Sequence, residues 1–251
     1  MTNEVAVVVG ASGAIGTTIT AELVNSRLTV IGVGRDGAAL AAMEVAHGEH
    51  FRGCIADISR DDSIEIIRNH LVERTVAMVV HAPGVPVAGG VKSVATEALV
   101  AACNVKVAGL LRLVRACEQA FRPGSRIVAI GGHYGFEPSP YAATAGVANA
   151  ALANMVRQLS WAFGSSGVTS HLLAPGPADT DRLRQVLRDR AALNGTRIEE
   201  EVAAMRADSA LGALTEPRQV AWAVKMLLAP EADALAGSSL MLDAGRRRGL
   251  P

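Results

Sequence analysis

Aromatic side chains are almost missing from this sequence: Phe, Tyr and Trp together make up 3% of it. With 50% of its residues apolar, the chain must build its core from Ala, Val, Leu and Ile. That mixture suits helices packed closely on a parallel sheet. Charge of one sign is missing too, since 24 Lys and Arg balance 24 Asp and Glu. A neutral chain has no basic field to draw in nucleic acid or an acidic membrane surface, and Arg246, Arg247 and Arg248 read as a short solvated tail. The three cysteines, Cys54, Cys103 and Cys117, form no Cys-x-x-Cys pair, so free thiols in a reducing compartment are expected rather than disulfides. His47 and His50 have ligand-like spacing but no third ligand nearby, and no metal is expected. No apolar run is long enough to span a bilayer, and the opening Met-Thr-Asn-Glu lacks the basic and apolar regions of a signal peptide. A soluble cytoplasmic protein without a membrane partner is the expectation.

What is present is an alternation of β-branched runs with Ala-rich segments of helical period. Strands are predicted at 5–9, 28–33, 51–56, 76–80, 126–130, 168–173 and 239–242. Helices are predicted at 15–26, 38–47, 61–73, 96–121 (closed by Pro123-Gly124), 141–163 and 217–228, with a charged helical segment at 179–208. Strands spaced by helices mean right-handed βαβ units. The expected fold is therefore a single-domain, Rossmann-type doubly wound α/β sheet of about seven strands spanning 1–251, with no linker or repeat.

Gly10-Ala11-Ser12-Gly13-Ala14-Ile15-Gly16 lies between the first strand and the first helix, the context that a phosphate-binding glycine turn requires. Gly10 permits the tight turn, Gly13 lets backbone approach a pyrophosphate, and Gly16 lets the helix pack closely. The helix N-terminus supplies amide donors and a positive dipole end. The second strand ends at Gly34-Arg35, with Asp36 one residue later. A guanidinium there offers a fork for a 2′-phosphate, so NADP(H) is favoured over NAD(H); a solvated loop arginine is the alternative.

With these marks in hand, the whole chain resembles the short-chain dehydrogenase/reductase family. Asp57-Ile58-Ser59 resembles the family's adenine-contacting stretch, and His81-Ala82-Pro83-Gly84 occupies the place of its Asn-Asn-Ala-Gly turn, matching at Gly84. Asn104 matches the asparagine that anchors a water relay. Ala174-Pro175-Gly176, with Thr180 after it, resembles the loop over the nicotinamide, and Leu242-Asp243-Ala244-Gly245 the terminal Asp-Gly-Gly. The resemblance implies a cofactor site made of Gly10, Ser12, Gly13, Ile15, Gly16, Arg35, Asp57, Ile58, Ala82, Gly84, Pro175 and Gly176. It also implies a small-molecule substrate and a homodimer or homotetramer. Ala14 departs from the family's glycine spacing.

The proton-transfer residues depart further. The family has a Tyr-x-x-x-Lys pair opening the helix predicted at 141–163, and a serine after the fifth strand. Tyr141 stands at the expected helix head, Ala145 at the lysine position, and Gly131-Gly132 where serine is expected. The chain's only lysines are Lys92, Lys106 and Lys225, and Lys106 reads as a surface or interface residue. Tyr134 is a rival to Tyr141. His133 reads either as a proton donor near the substrate oxygen or as a loop histidine on the pocket rim. Arg157 and the run Glu199-Glu200-Glu201 read as solvated helix faces.

An unpaired phenol is about one part in a thousand ionised at pH 7. Such a site suits donating a proton during reduction better than accepting one during oxidation. The leading expectation is an NADP(H)-dependent reductase of a small carbonyl or enone, with Tyr141, Asn104 and His133 as catalytic candidates and 179–208 as a helical lid. The alternatives are a non-redox enzyme of the same scaffold (cyclase, dehydratase or epimerase) and a catalytically inactive nucleotide sensor.

Overall fold

The computed structural model describes residues 3–86 and 89–249. Its strands are β1 (Glu4–Val9), β2 (Thr29–Gly34), β3 (Phe51–Ile55), β4 (Thr75–His81), β5 (Phe121–Ile130), β6 (Thr169–Pro175) and β7 (Ser239–Leu242). They form one sheet in the order β3-β2-β1-β4-β5-β6-β7, every pairing parallel. The order reverses between β1 and β4, and ligands of such sheets bind outside the strands' carboxyl ends at that switch.

Both faces are covered, as the continuously apolar strands require. Along β1, Val5, Val7 and Val9 point into one core layer and Ala6 and Val8 into the other. The first layer is closed by α3 (Ser63–Asn69), α5 (Gly109–Cys117) and α6 (Ala143–Phe163), which contribute Ile67, Leu110, Leu113, Leu152 and Val156. The second is closed by α1 (Ala14–Asn25), α2 (Gly37–His47) and α9 (Pro217–Met226), through Ile19, Leu23, Leu40, Val220 and Val224. The small core residues let one large ring fill a gap: Phe51 is fully buried, and a Cβ on Gly32 would lie 2.2 Å from its ring.

Several boundaries differ from the sequence reading. The helix predicted at 96–121 is α4 (Thr96–Cys103), a π-helical turn at Asn104–Ala108, then α5, so it stops at Cys117. Pro123 and Gly124 instead lie inside β5, where the register with β4 jumps from Val76↔Phe121 to Met78↔Arg126. That irregularity is a place where a strand tolerates proline. The helix predicted at 61–73 shrinks to Ser63–Asn69. The one predicted at 141–163 begins at Ala143. The 179–208 segment is two helices, α7 (Asp181–Asn194) and α8 (Ile198–Ala207), separated at Gly195, whose φ is +67°.

Three surface expectations also change. Glu201 is buried and accepts hydrogen bonds from Asn194 and Thr196, tying α8 to the end of α7. Arg246 is no loose tail: it donates to the Met205 carbonyl and to Asp208, pinning the C-terminal segment to α8. Lys106 is buried, because the π turn, with its wider spacing, aims this residue inward. Arg157 is exposed, as expected.

Candidate functional site

The carboxyl ends of β1, β2 and β4 border a cleft of about 480 Å³. Its walls bring together Gly10, Ser12, Arg35, Asp57, Ile58 and Gly84 from four separate stretches of chain. Gly10 sits at φ +80°, and its amide donates to the Val33 carbonyl at 2.8 Å. A Cβ there would press on the Ala82 carbonyl at 3.0 Å, which places Ala82 directly behind the turn. Gly13 is the N-cap of α1 and supplies no side-chain cap. The first-turn amides, those of Ile15 and Gly16 among them, are therefore left to point at whatever occupies the cleft. A Cβ on Gly16 would stand 2.0 Å from the Gly10 carbonyl oxygen. The close packing that Gly16 allows is thus against the turn itself.

The two side chains at the end of β2 have different fates. Asp36 caps α2, its carboxylate accepting from the Ala39 amide at 3.0 Å. Arg35 is exposed at the cleft wall, makes no hydrogen bond to the described residues, and lies within electrostatic reach of Asp57. Asp57 accepts from the amide and hydroxyl of Ser59, which together hold its carboxyl below the ordinary carboxylate range.

Past Gly84 the cleft meets a latch. Arg182, near the start of α7, donates to the Val85 carbonyl, and a Cβ on Gly84 would lie 2.5 Å from its guanidinium. Thr180 caps the same helix, accepting from the Leu183 amide. One side chain thereby joins the start of α7 to the stretch that follows β4.

Of the three expected catalytic residues, Tyr141 and His133 lie near the ends of β5 and β6. Tyr141 lies just before the first residue of α6, Ala143, and is 44% exposed. Its hydroxyl is 2.9 Å from that of Tyr134, and the Arg190 guanidinium stands 5.1 Å from its ring centre. Burial first, then the bond to Tyr141, raises the Tyr134 phenol well above its usual value. His133 is buried, its ring centre 3.9 Å from that of Tyr134 with the two planes tilted by 39°, and the Pro175 carbonyl lies nearby. Burial, with Arg246 nearby, lowers its pKa to about 4, so it is neutral at pH 7. Gly176 is locked beside Asp243, where a Cβ would find only 3.0 Å.

Asn104 does not offer its side chain to this region. Its amide nitrogen donates to the Ser59 carbonyl at 2.9 Å, and its oxygen accepts from Arg112 at 2.9 Å. Within α6, the residue facing the end of β5 is Asn149, whose Nδ2 is 2.9 Å from where a Cβ on Gly132 would stand. Ala145 lies one turn before it on the same face. Two further polar groups, neither expected to be buried from the sequence, lie inside. His81 closes β4 with Nε2 3.0 Å from the Val105 carbonyl, and burial takes its pKa down to about 3. The Lys106 ammonium donates to the Ile130 carbonyl at 2.8 Å.

The profile of the family described as enoyl-(acyl carrier protein) reductase matches residues 10–247. This chain belongs to the short-chain dehydrogenase/reductase family. It is 26% identical over 246 residues to an uncharacterized short-chain type dehydrogenase/reductase of Sinorhizobium fredii, covering 96% of this chain and 43% of that relative. The chain thus spans less than half of that protein. It is 25% identical to a 3-oxoacyl-[acyl-carrier-protein] reductase of Vibrio harveyi, with 96% of each covered. Among solved structures, the actinorhodin polyketide ketoreductase with NADPH superposes at a TM-score of 0.89, with 24% identity and 97% of each chain covered. An NADPH-bound short-chain oxidoreductase of Pseudomonas aeruginosa, described as containing an atypical catalytic center, superposes at 0.87 with 23% identity, covering 98% of this chain and 97% of that one. Short-chain family membership accounts for the glycine turn, the seven-stranded order and the clustering of site residues at the strands' carboxyl ends.

Among the described residues, no group of His, Cys, Asp and Glu is arranged to hold a metal ion. No helix among them is long and apolar enough to cross a membrane.

Proposed function

We propose that this chain is an NADP(H)-dependent reductase of a small carbonyl or enone substrate. The observation that carries the cofactor preference is the division of labour after β2: Asp36 is committed to capping α2, while Arg35 stays at the cleft wall without a hydrogen-bond partner among the described residues. A 2′-phosphate fits a guanidinium fork, whereas the ribose hydroxyls of NADH find no free carboxylate there. The cleft suits a dinucleotide in its other parts too. Open amides at the head of α1 face a diphosphate, and Asp57 and Ile58 line the far wall, where adenine would lie.

When bound, the nicotinamide supplies a hydride to the substrate carbon. Tyr134 and Tyr141 would supply the proton: the pair joins an exposed hydroxyl to a more buried one, and Tyr134 stays a neutral acid at pH 7. A phenol held neutral favours reduction over oxidation. Neutral His133 orients Tyr134 by ring contact rather than by charge. Helices α7 and α8 act as the lid, latched through Arg182 to Val85 and excluding water when closed. The assembly is a homodimer or homotetramer.

A catalytically silent nucleotide sensor draws on Ala145 and Asn149, since the α6 face toward β5 carries neither tyrosine nor lysine. The test is NADPH oxidation with a panel of small ketones, aldehydes and enones. A reductase turns over at least one of them, and Tyr141→Phe slows it at least tenfold. Tight NADPH binding without turnover of any compound would favour the sensor instead.

A further inference from the structure

Two buried polar groups at the carboxyl end of β5 are incompletely bonded. Lys106 is 5% exposed and donates to the Ile130 carbonyl at 2.8 Å. An ammonium has three protons to give, and among the described residues no carboxylate pairs with it. Burial, with Arg182 nearby, lowers its pKa to about 8, which leaves it largely protonated at pH 7. Asn149, also 5% exposed, comes to the same strand end from α6, and among the described residues its Oδ1 has no hydrogen-bond partner. Buried groups of this kind are normally satisfied, and an unpaired buried charge is especially costly.

The glycine at 132 belongs to the same arrangement. A Cβ there would stand 2.9 Å from Asn149 Nδ2, so the missing side chain makes room for this amide.

A ligand that completes both groups must accept from a cation and donate to an amide oxygen. A hydroxyl does both, whereas a carboxylate or phosphate has no proton for Oδ1. A dinucleotide carries ribose hydroxyls at each end, and Arg35 stands at the adenosine end of the cleft. We propose that Lys106 and Asn149, contributed by two different helices, hold the hydroxyls of the nicotinamide-side ribose. In the family that task resembles the work of a single lysine on the helix corresponding to α6. The assignment rests on the dinucleotide reading above.

The test is calorimetric titration of two ligands, NADPH and adenosine 2′,5′-bisphosphate, into the wild type, Lys106→Met and Asn149→Leu. The bisphosphate carries the adenosine half alone. Each variant should weaken NADPH about tenfold or more and leave the bisphosphate unchanged, because only NADPH has the second ribose. Unchanged NADPH affinity overturns the proposal, as does an equal loss for both ligands, which is what a purely structural role would give. Lys106→Met keeps the length of the buried stem; should it not fold, Asn149→Leu alone decides. A wild type that binds neither ligand refutes the dinucleotide reading itself.

Discussion

Adding one methyl group at Gly16 tests how the glycine turn and α1 are fitted together. A Cβ at this position would lie 2.0 Å from the Gly10 carbonyl oxygen, 2.8 Å from its carbon and 2.9 Å from the Ala11 Cα. All three are backbone atoms of a turn that Gly10 holds at φ +80°, so no side chain can swing aside. Restoring a contact of about 3.4 Å requires α1 and the turn to separate by roughly 1.4 Å, more than a close-packed interior absorbs. Overpacking of this kind costs about 1–3 kcal/mol, and the gain of alanine over glycine within a helix returns about 0.5–1 kcal/mol. The net loss centres on about 1 kcal/mol and reaches about 2.5 kcal/mol, a fall in Tm of roughly 2–10 °C for a chain of this size. The same separation moves the open amides of α1 away from the diphosphate, so NADPH affinity should fall more than tenfold. Gly13→Ala is the matched control: its Cβ would meet only the Gly10 oxygen, at 3.3 Å, so Tm should stay within about 2 °C of wild type while NADPH binding weakens. Scanning calorimetry and NADPH titration measure both quantities. A Gly16→Ala protein with wild-type Tm and affinity would refute the packing argument.

Arg35→Ala should weaken NADPH binding by about 10- to 100-fold and change NADH binding little, because a charge-assisted contact to phosphate is removed; an equal change for both ligands would place Arg35 outside recognition. His133 has a pKa of about 4 in the folded chain against about 6.5 when free, so its contribution to stability is fully present above pH 6.5 and is lost as pH falls toward 4. Over that window the unfolded chain binds the extra proton, which makes the slope up to about 1.4 kcal/mol per pH unit. His171, lowered to about 4 by burial, and His81 act with the same sign. Urea unfolding at pH 7, 5.5 and 4.5 should show a shallower pH dependence for His133→Gln, and an unchanged slope would mean that His133 is not held neutral.

The strands were legible because a sheet buried on both faces needs continuous apolar runs, and few other segments of this chain have them. The helices were legible by period, but their ends were not. Cys117 and Phe121 belong to one Ala- and Leu-rich stretch, and only the pairing of Phe121 with Val76 decides that the helix has already stopped. The start of the helix after Tyr141 shows the same limit: the sequence places Tyr141 at its head, whereas α6 begins only at Ala143. What faces β5 is set by the helix's rotation, which brings Asn149 there.

The sequence alone determined the doubly wound sheet and the glycine turn beneath it, because both rest on local backbone chemistry: strand-length apolar runs, glycine at a positive φ, a helix that starts without a side-chain cap. Tertiary structure alone decided the inward turn of Lys106, the commitment of Asn104 to Ser59 and Arg112, and the latch of Arg182 on Val85. Each of these depends on partners 8 to 97 residues away. A charged side chain reads as solvated until the packing of distant elements shows that its surroundings have closed over it.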